Sequence, residues 1–462
     1  MNKFLLVFLA LFVSNSLIAQ SIEGDWNGLL EVQGMKLRLV FHITQTEKGY
    51  HSTMDSPDQN AKGIPVSSTL FEGNGLTLKV DAADITYNAI LENDLTFKGT
   101  FKQAGNSFPL DLSRKAIEKP TLNRPQEPKA PLPYFVEEIT FHNKNSDINL
   151  AGTLTLPHKE GSFPVAILIS GSGPQNRDEE FMTHKPFLVL ADHLTRNGIA
   201  VLRYDDRGFG KSTGNHNLAT SLDFAEDVQA AISYLKTRKE IDKRRIGLIG
   251  HSEGGLIAPI VASQSKEVSF MVLLAGPGVS GKEISLQQIE IMGEMSGMSE
   301  EAIAGEKSIT KNVIELVEKH HGSEILATKL KSFLLEQLIN VDEKNLGMDK
   351  EKFIQMNVAQ ASRPWYAYFV QHQPSQYLEK VKCPVLAING GKDVQVVSRN
   401  LKDIEKALIK GKNKSFKVKE FPNMNHLFQE CQTGAMSEYA TIEHTFSPIA
   451  LDEISEWLKQ LW

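Results

Sequence analysis

Arg245-Ile246-Gly247-Leu248-Ile249-Gly250-His251-Ser252-Glu253-Gly254-Gly255-Leu256-Ile257-Ala258-Pro259-Ile260-Val261-Ala262 is the stretch that decides the fold. Its first part is a short apolar run of the kind found in strands buried on both faces, and its last part reads as a helix. Between them stands Gly-x-Ser-x-Gly. A serine there sits on a strained, tight turn that points its Oγ outward, and glycine at 250 and 254 lets strand and helix approach without a side-chain clash. The helix that follows offers free N–H groups and a positive dipole end to a developing oxyanion. Ser252 is therefore the candidate nucleophile.

A nucleophilic serine needs a base and a group to orient that base. On an elbow of this kind they follow in the order serine, acid, histidine. Of the 13 histidines, His251, His320, His321, His372, His426 and His444 lie near or beyond Ser252. His320 and His321 are neighbours on a helical stretch and read as solvated, His372 falls in a helical insertion, and His444 is expected in a helical stretch before Ser447-Pro448. His251 is held in the elbow with its ring expected to point elsewhere. His426 follows the strand Phe416–Phe421 and the turn Pro422-Asn423-Met424-Asn425, so it is the expected base. Asp393 comes directly after the strand Pro384–Asn389 through Gly390-Gly391-Lys392 and is the expected acid; Asp403, a helix length later, reads as a solvated face. The oxyanion hole needs two backbone donors. One is the N–H of Glu253, and the other is assigned to Ser172 in the glycine-rich loop Ile169-Ser170-Gly171-Ser172-Gly173-Pro174. That loop lacks the spacing of a phosphate-binding loop.

Outward from the elbow the same grammar repeats. Val165–Ile169, Ile199–Leu202, Ile246–Ile249, Met271–Leu274 and Val385–Ile388 are apolar runs separated by helical patterns such as Leu222–Leu235, which implies right-handed crossovers and a mostly parallel sheet with helices on both faces. An insertion of about 110 residues between Leu274 and Val385, cap-like over about 277–380, interrupts that rhythm with helical patterns. Upstream, Pro120, Pro125, Pro128, Pro131 and Pro133 make 115–133 read as a stiff linker. From 21 to 114 the period is two: Trp26–Leu30, Lys36–Ile43, Gly75–Val80 and Leu95–Phe101 alternate between turn residues, which predicts about eight antiparallel strands in a small barrel or sandwich.

Residues 1–20 read as an export leader, with Lys3 ahead of the apolar run Phe4–Val13 and a small residue, Ala19, at the expected cleavage point. Ten apolar residues are too few for a span, which needs about twenty. The expected mature chain is secreted or periplasmic, and losing Lys3 would take the net charge from −6 to −7. With 50 basic against 56 acidic residues and no basic block, the composition gives no footprint for nucleic acid or an anionic membrane. Two cysteines make neither a disulfide scaffold nor a cysteine zinc site; Cys383 and Cys431, expected at opposite ends of the sheet, should be free thiols.

Taken with Ser170-Gly171-Ser172-Gly173-Pro174-Gln175-Asn176-Arg177-Asp178, Asp205-Asp206-Arg207-Gly208-Phe209-Gly210-Lys211-Ser212, Gly391-Lys392-Asp393 and Asn425-His426-Leu427-Phe428, the elbow resembles the α/β-hydrolase superfamily, within it the bacterial serine-aminopeptidase-like group that includes short-chain carboxylesterases. The resemblance covers about 134–462 and not the β-rich part. It departs from many relatives in having Ser170 where they have histidine. It implies an α/β-hydrolase fold with a helical cap, a Ser252-His426-Asp393 triad, a small-molecule ester as substrate, and neither metal nor organic cofactor. Relatives line their cleft with such a cap, so Trp365 and Phe369, four apart and on one helix face, either roof the pocket or pack inside the cap. Two rivals stay open. One is a peptidase in which Asp178-Glu179-Glu180 holds a free α-ammonium rather than forming a solvated acidic stretch. The other is a carbohydrate- or partner-binding protein with a vestigial hydrolase domain.

Overall fold

A computed structural model describes residues 21–32, 35–59, 61–93, 95–103, 106–118, 123–339, 341, 346 and 349–462; the expected leader lies outside them. The chain divides into two compact units, Met1–Pro120 with Asp342–Asp349, and Thr121–Val341 with Lys350–Trp462.

In the first unit ten strands form one antiparallel sheet. They are β1 (Gly24–Val32), β2 (Met35–Thr46), β3 (Gly49–Ser56), β4 (Ala61–Pro65), β5 (Ser68–Glu72), β6 (Gly75–Val80), β7 (Ile85–Asn93), β8 (Thr96–Gln103), β9 (Asn106–Pro109) and β10 (Leu112–Ser113). Their order is β4-β3-β2-β1-β10-β8-β7-β6-β5, with β9 paired to β8. Alternation turns Trp26, Phe41, Leu78, Tyr87, Phe97 and Phe101 into one buried cluster, so a single sheet wraps around its own core as a half-barrel. The sheet exceeds the expected eight strands through short strands such as β4, β9 and β10, which are too brief to show a period in the sequence.

The second unit holds an eight-stranded sheet of β11 (Phe135–Asn143), β12 (Ile148–Leu156), β13 (Phe163–Ile169), β14 (Ala200–Tyr204), β15 (Ile241–His251), β16 (Val268–Leu274), β17 (Val385–Gly390) and β18 (Phe416–Phe421), in the order β11-β12-β14-β13-β15-β16-β17-β18. From β14 to β18 neighbours are parallel, as continuous apolar runs require. The first two strands, β11 and β12, add an antiparallel edge. Separate apolar cores cover the two faces. This is the α/β-hydrolase architecture. Between β16 and β17 the described chain is helical, over Gly281–Met295, Glu300–His320, Ile325–Gln337, Lys350–Ala361, Pro364–Gln371 and Ser375–Leu378, with a small core of its own around Ile314, Val317, Leu330, Ala367 and Val370. His444 belongs to an exposed loop rather than a helix, because the helix begins at Pro448.

Several motif residues brace loops. The Asp205 carboxylate takes both Arg177 Nε and Nη2, at 3.0 and 2.9 Å, and also accepts the Lys211 N–H. Arg207, buried with Asp227, donates to it from Nε and Nη2 at 2.7 and 2.9 Å. Arg124 donates to Thr183 Oγ1, and Gln126 Oε1 accepts the N–H groups of Thr445 and Phe446, so the second half of the proline-rich stretch is fastened to this unit.

Removing one partner of a buried ion pair leaves an uncompensated charge, which costs about 3–5 kcal/mol. Asp227→Ala is expected to lower unfolding free energy by about that amount in urea titration, while replacing Arg207 and Asp227 together by Met and Leu recovers most of it. A double variant as unstable as the single one would contradict the pair's role.

Candidate active site

The elbow forms as its residue types require. β15 runs into Ser252, whose φ is +52°, and the helix Gly254–Gln264 leaves directly after it. A positive φ on a residue with a side chain is strained, at a cost on the order of 1–3 kcal/mol, and it persists only where the surroundings over-determine it. Here they do. A methyl at Gly250 would sit 2.0 Å from the carbonyl oxygen of Gly254, and a methyl at Gly254 would sit 2.0 Å from that of Ile169. The Ser252 N–H is tied to Leu274 O at 2.9 Å. Among the described residues Ser252 Oγ has no hydrogen-bond partner, and the residue is partly exposed.

Asp393 and His426 are brought together from the loops after β17 and β18. His426 Nδ1 lies 2.7 Å from Asp393 Oδ2, with both residues buried. Asp393 Oδ1 meanwhile accepts the N–H groups of Gln395 and Val396, at 2.8 and 2.9 Å. A carboxylate fixed this way only accepts, so Nδ1 carries a proton, which makes Nε2 the nitrogen of the neutral ring that can accept one. The turn is locked by Asn425, whose Oδ1 accepts the N–H groups of Leu427 and Gln429. His251, next to the serine, reaches the carbonyl oxygen of His426 with Nε2 at 3.0 Å, and the two rings lie 4.7 Å apart.

The glycine-rich loop after β13 abuts the elbow, and a methyl on Gly171 would be 3.2 Å from Ser252 Cβ. The Gly171 N–H is committed, donating to Glu179 Oε1 at 2.7 Å. The N–H groups of Ser172 and Glu253, the two expected donors, have no partner among the described residues. Ser170, the departure from the family pattern, donates its hydroxyl to Asp206 Oδ1 at 2.6 Å. Burial pushes the Asp206 carboxyl well above its usual range, against the bonds from Ser170 and the Gln175 N–H.

Glu253 turns its side chain inward. Its Oε1 accepts Ser221 Oγ at 2.6 Å and Trp365 Nε1 at 2.7 Å, and burial raises its carboxyl pKa. Trp365 stacks on Phe369 with ring centroids 5.0 Å apart. Both rings are half-buried, and Phe369 packs, beside Ala367 and Val370, against the insertion's core and also against a core of the main sheet. Cys383 and Cys431 are free thiols, and burial pushes Cys383 up to about 12.

The pair missed in the sequence is Glu179 with His251. The 178–180 stretch is expected to be solvated or to hold an ammonium, but Asp178 pairs with buried Arg203, and Glu179, itself buried, lies 2.9 Å from His251 Nδ1. Only Glu180 is exposed. The signal was an acidic residue close after the oxyanion loop together with a histidine inside the elbow, and only the fold makes them neighbours.

Comparison with known proteins places these residues in context. The family model described as serine aminopeptidase, S33, matches residues 184–430, more than half of the chain, a span that includes Ser252, Asp393 and His426. Esterase EstD of Thermotoga maritima is 27% identical over 329 residues, 71% of this chain and 70% of that protein. An uncharacterized 31.7 kDa protein in the traX-finO intergenic region of Escherichia coli is 25% identical over 262 residues, 55% of this chain and 81% of that protein. Among solved structures, the Pyrococcus furiosus esterase Pf2001 aligns with a TM-score of 0.45 at 16% identity, over 73% of this chain and 97% of that one.

Proposed function

Because the chain belongs to the S33 serine aminopeptidase family of α/β-hydrolases, we propose that this hydrolase is a carboxylesterase acting on short-chain acyl esters through Ser252, His426 and Asp393. The observation that carries the reading is the 2.7 Å contact of His426 Nδ1 with a carboxylate that is itself held by two backbone N–H groups, beside a serine on a positive-φ elbow. In that arrangement Nε2 is the basic nitrogen. It takes the proton of Ser252 Oγ as the oxygen attacks the ester carbonyl, and the oxyanion that forms is met by the free N–H groups of Glu253 and Ser172. The proton on Nε2 then passes to the departing alkoxide, leaving an acyl-enzyme. Water, deprotonated by the same nitrogen, releases the acid and restores Ser252. No step draws on a metal or an organic cofactor.

The peptidase alternative needs an anionic pocket for a free ammonium. Asp178 is engaged by Arg203, Glu179 by His251 and Gly171, and Glu253 by Ser221 and Trp365, which favours the ester reading, as does the likeness to Esterase EstD. In this proposal residues 1–20 are an export leader, 21–114 an accessory domain, 115–133 a linker and 134–462 the catalytic domain. The helical insertion at about 277–380 acts as a cap, with Trp365 and Phe369 on the substrate side. Turnover of p-nitrophenyl acetate against an aminoacyl p-nitroanilide, free and N-blocked, tests the choice; exclusive cleavage of the free aminoacyl anilide would overturn it.

Ser252→Ala, His426→Ala and Asp393→Asn should each fold and lose on the order of 10⁴-fold in kcat, far from additively in combination. Full activity in His426→Ala counts against the assignment.

Each methylene accommodated or excluded by an apolar wall is worth about 1–3 kcal/mol. Trp365→Ala should therefore leave acetyl ester turnover within about tenfold and improve longer acyl chains relative to it. An unchanged chain-length profile with a lower melting temperature would make Trp365 a packing residue only.

A further inference from the structure

The proposed chemistry leaves one buried, titratable pair beside the nucleophile without a task. Glu179 Oε1 receives two contacts, the Gly171 N–H at 2.7 Å and His251 Nδ1 at 2.9 Å, while His251 Nε2 lies 3.0 Å from the carbonyl oxygen of His426. Both ring nitrogens thus face acceptors, a carboxylate on one side and a carbonyl on the other. A neutral imidazole has one N–H and can satisfy one of them. Because Oε1 already accepts the Gly171 N–H and so is not the hydroxyl oxygen of a protonated acid, two such contacts call for a doubly protonated ring, and the buried carboxylate alongside supplies the countercharge.

We propose that His251 and Glu179 are positioning residues: a protonated imidazolium–carboxylate clamp that joins the oxyanion loop to the loop carrying the base. Through Gly171 the clamp fixes the loop so that the next N–H, that of Ser172, stays free and aimed at the elbow. Through the carbonyl of His426 it sets where the catalytic imidazole stands. The proposal rests on the Ser252-His426-Asp393 reading and adds what holds its two halves in register.

The clamp is proton-dependent. Burial disfavours the charged ring, but the Glu179 carboxylate outweighs it and raises the His251 pKa, with Asp393 acting in the same direction; the His426 ring is the other titratable group facing it, and Asp206 lies beyond Glu179. An unfolded histidine loses its proton near about pH 6.5. A folded pKa above that value means the clamp is fully formed below about pH 6.5, persists above it, and is lost as pH rises through the raised value. Activity should therefore fall at alkaline pH when the ring becomes neutral and one of its two contacts breaks.

Glu179→Gln keeps the shape and an oxygen for Gly171 but removes the charge. With turnover normalised to the sites labelled by a fluorophosphonate probe, the variant is expected to lose about 10–100-fold in kcat with KM within about threefold, the effect of a small misplacement of reacting groups. The midpoint of its alkaline limb should also move down by about one pH unit or more, because the main charge opposing burial at His251 is then gone. A merely structural role would instead reduce the fraction of labelled sites and leave the pH profile per site unchanged, and that result overturns the proposal. Should Glu179→Gln fail to fold, ¹⁵N NMR of histidine-labelled full-length protein at pH 8 decides. The His42→Asn background is used, since His42 also faces two carboxylates, Asp25 and Asp55. One imidazole protonated on both nitrogens supports the clamp, and none overturns it. If wild-type Ser252 does not react with the probe at all, the hydrolase reading falls and this inference with it; normal labelling with a variant profile superposable on wild type removes the inference alone.

Discussion

The catalytic unit depends on one close approach, the backbone crossing of β15 and the helix Gly254–Gln264. There is no space for a side-chain atom at Gly250 or at Gly254, where carbonyl oxygens stand 2.0 Å from the point a methyl would occupy. That contact forces the intervening turn to be short, and the short turn forces Ser252 to φ +52°. Strain of this size survives because strands buried on both faces hold the turn from either side: β13 supplies the Ile169 oxygen that Gly254 must clear, and β16 supplies the Leu274 oxygen that takes the serine N–H. The partly exposed Ser252 and the free N–H of Glu253 next to it follow from that geometry.

Around this frame lie four buried or half-buried carboxyl groups. Glu179, Asp206, Glu253 and Asp393 all approach the nucleophile's surroundings, and each is held differently: by an imidazole and a backbone N–H, by a hydroxyl and a backbone N–H, by a hydroxyl and an indole N–H, and by His426 with two backbone N–H groups. A buried carboxyl without partners would cost several kcal/mol. Here hydrogen bonds to one or both oxygens replace water, and the groups that make them come from the loop after β13, the end of β15, Ser221, the insertion and the loops after β17 and β18. The polar network therefore sets the positions of separate loops relative to one serine.

What could be read from the sequence was what is local. The elbow is contiguous in the chain, the inner parallel strands carry apolar runs, and Asp393 and His426 each come soon after a strand, β17 and the alternating edge strand β18. The strand count of the N-terminal sheet was underestimated because β10 has two residues and β9 four, too few for a period. His444 was expected in a helix that in fact starts at Pro448. Glu179 and His251 escaped because they are 72 positions apart, and nothing in either neighbourhood shows that the fold closes one against the other. The hydrogen bond of the Trp365 indole to Glu253 is likewise a contact no helical spacing encodes.

The most direct measurement is the site of covalent modification. Full-length protein treated with a fluorophosphonate, digested and mapped by mass spectrometry should carry a single adduct on Ser252, in the peptide containing Gly250-His251-Ser252-Glu253-Gly254, and prior denaturation should abolish it. An adduct on another residue, or undiminished ester turnover by protein fully modified at Ser252, would contradict the account.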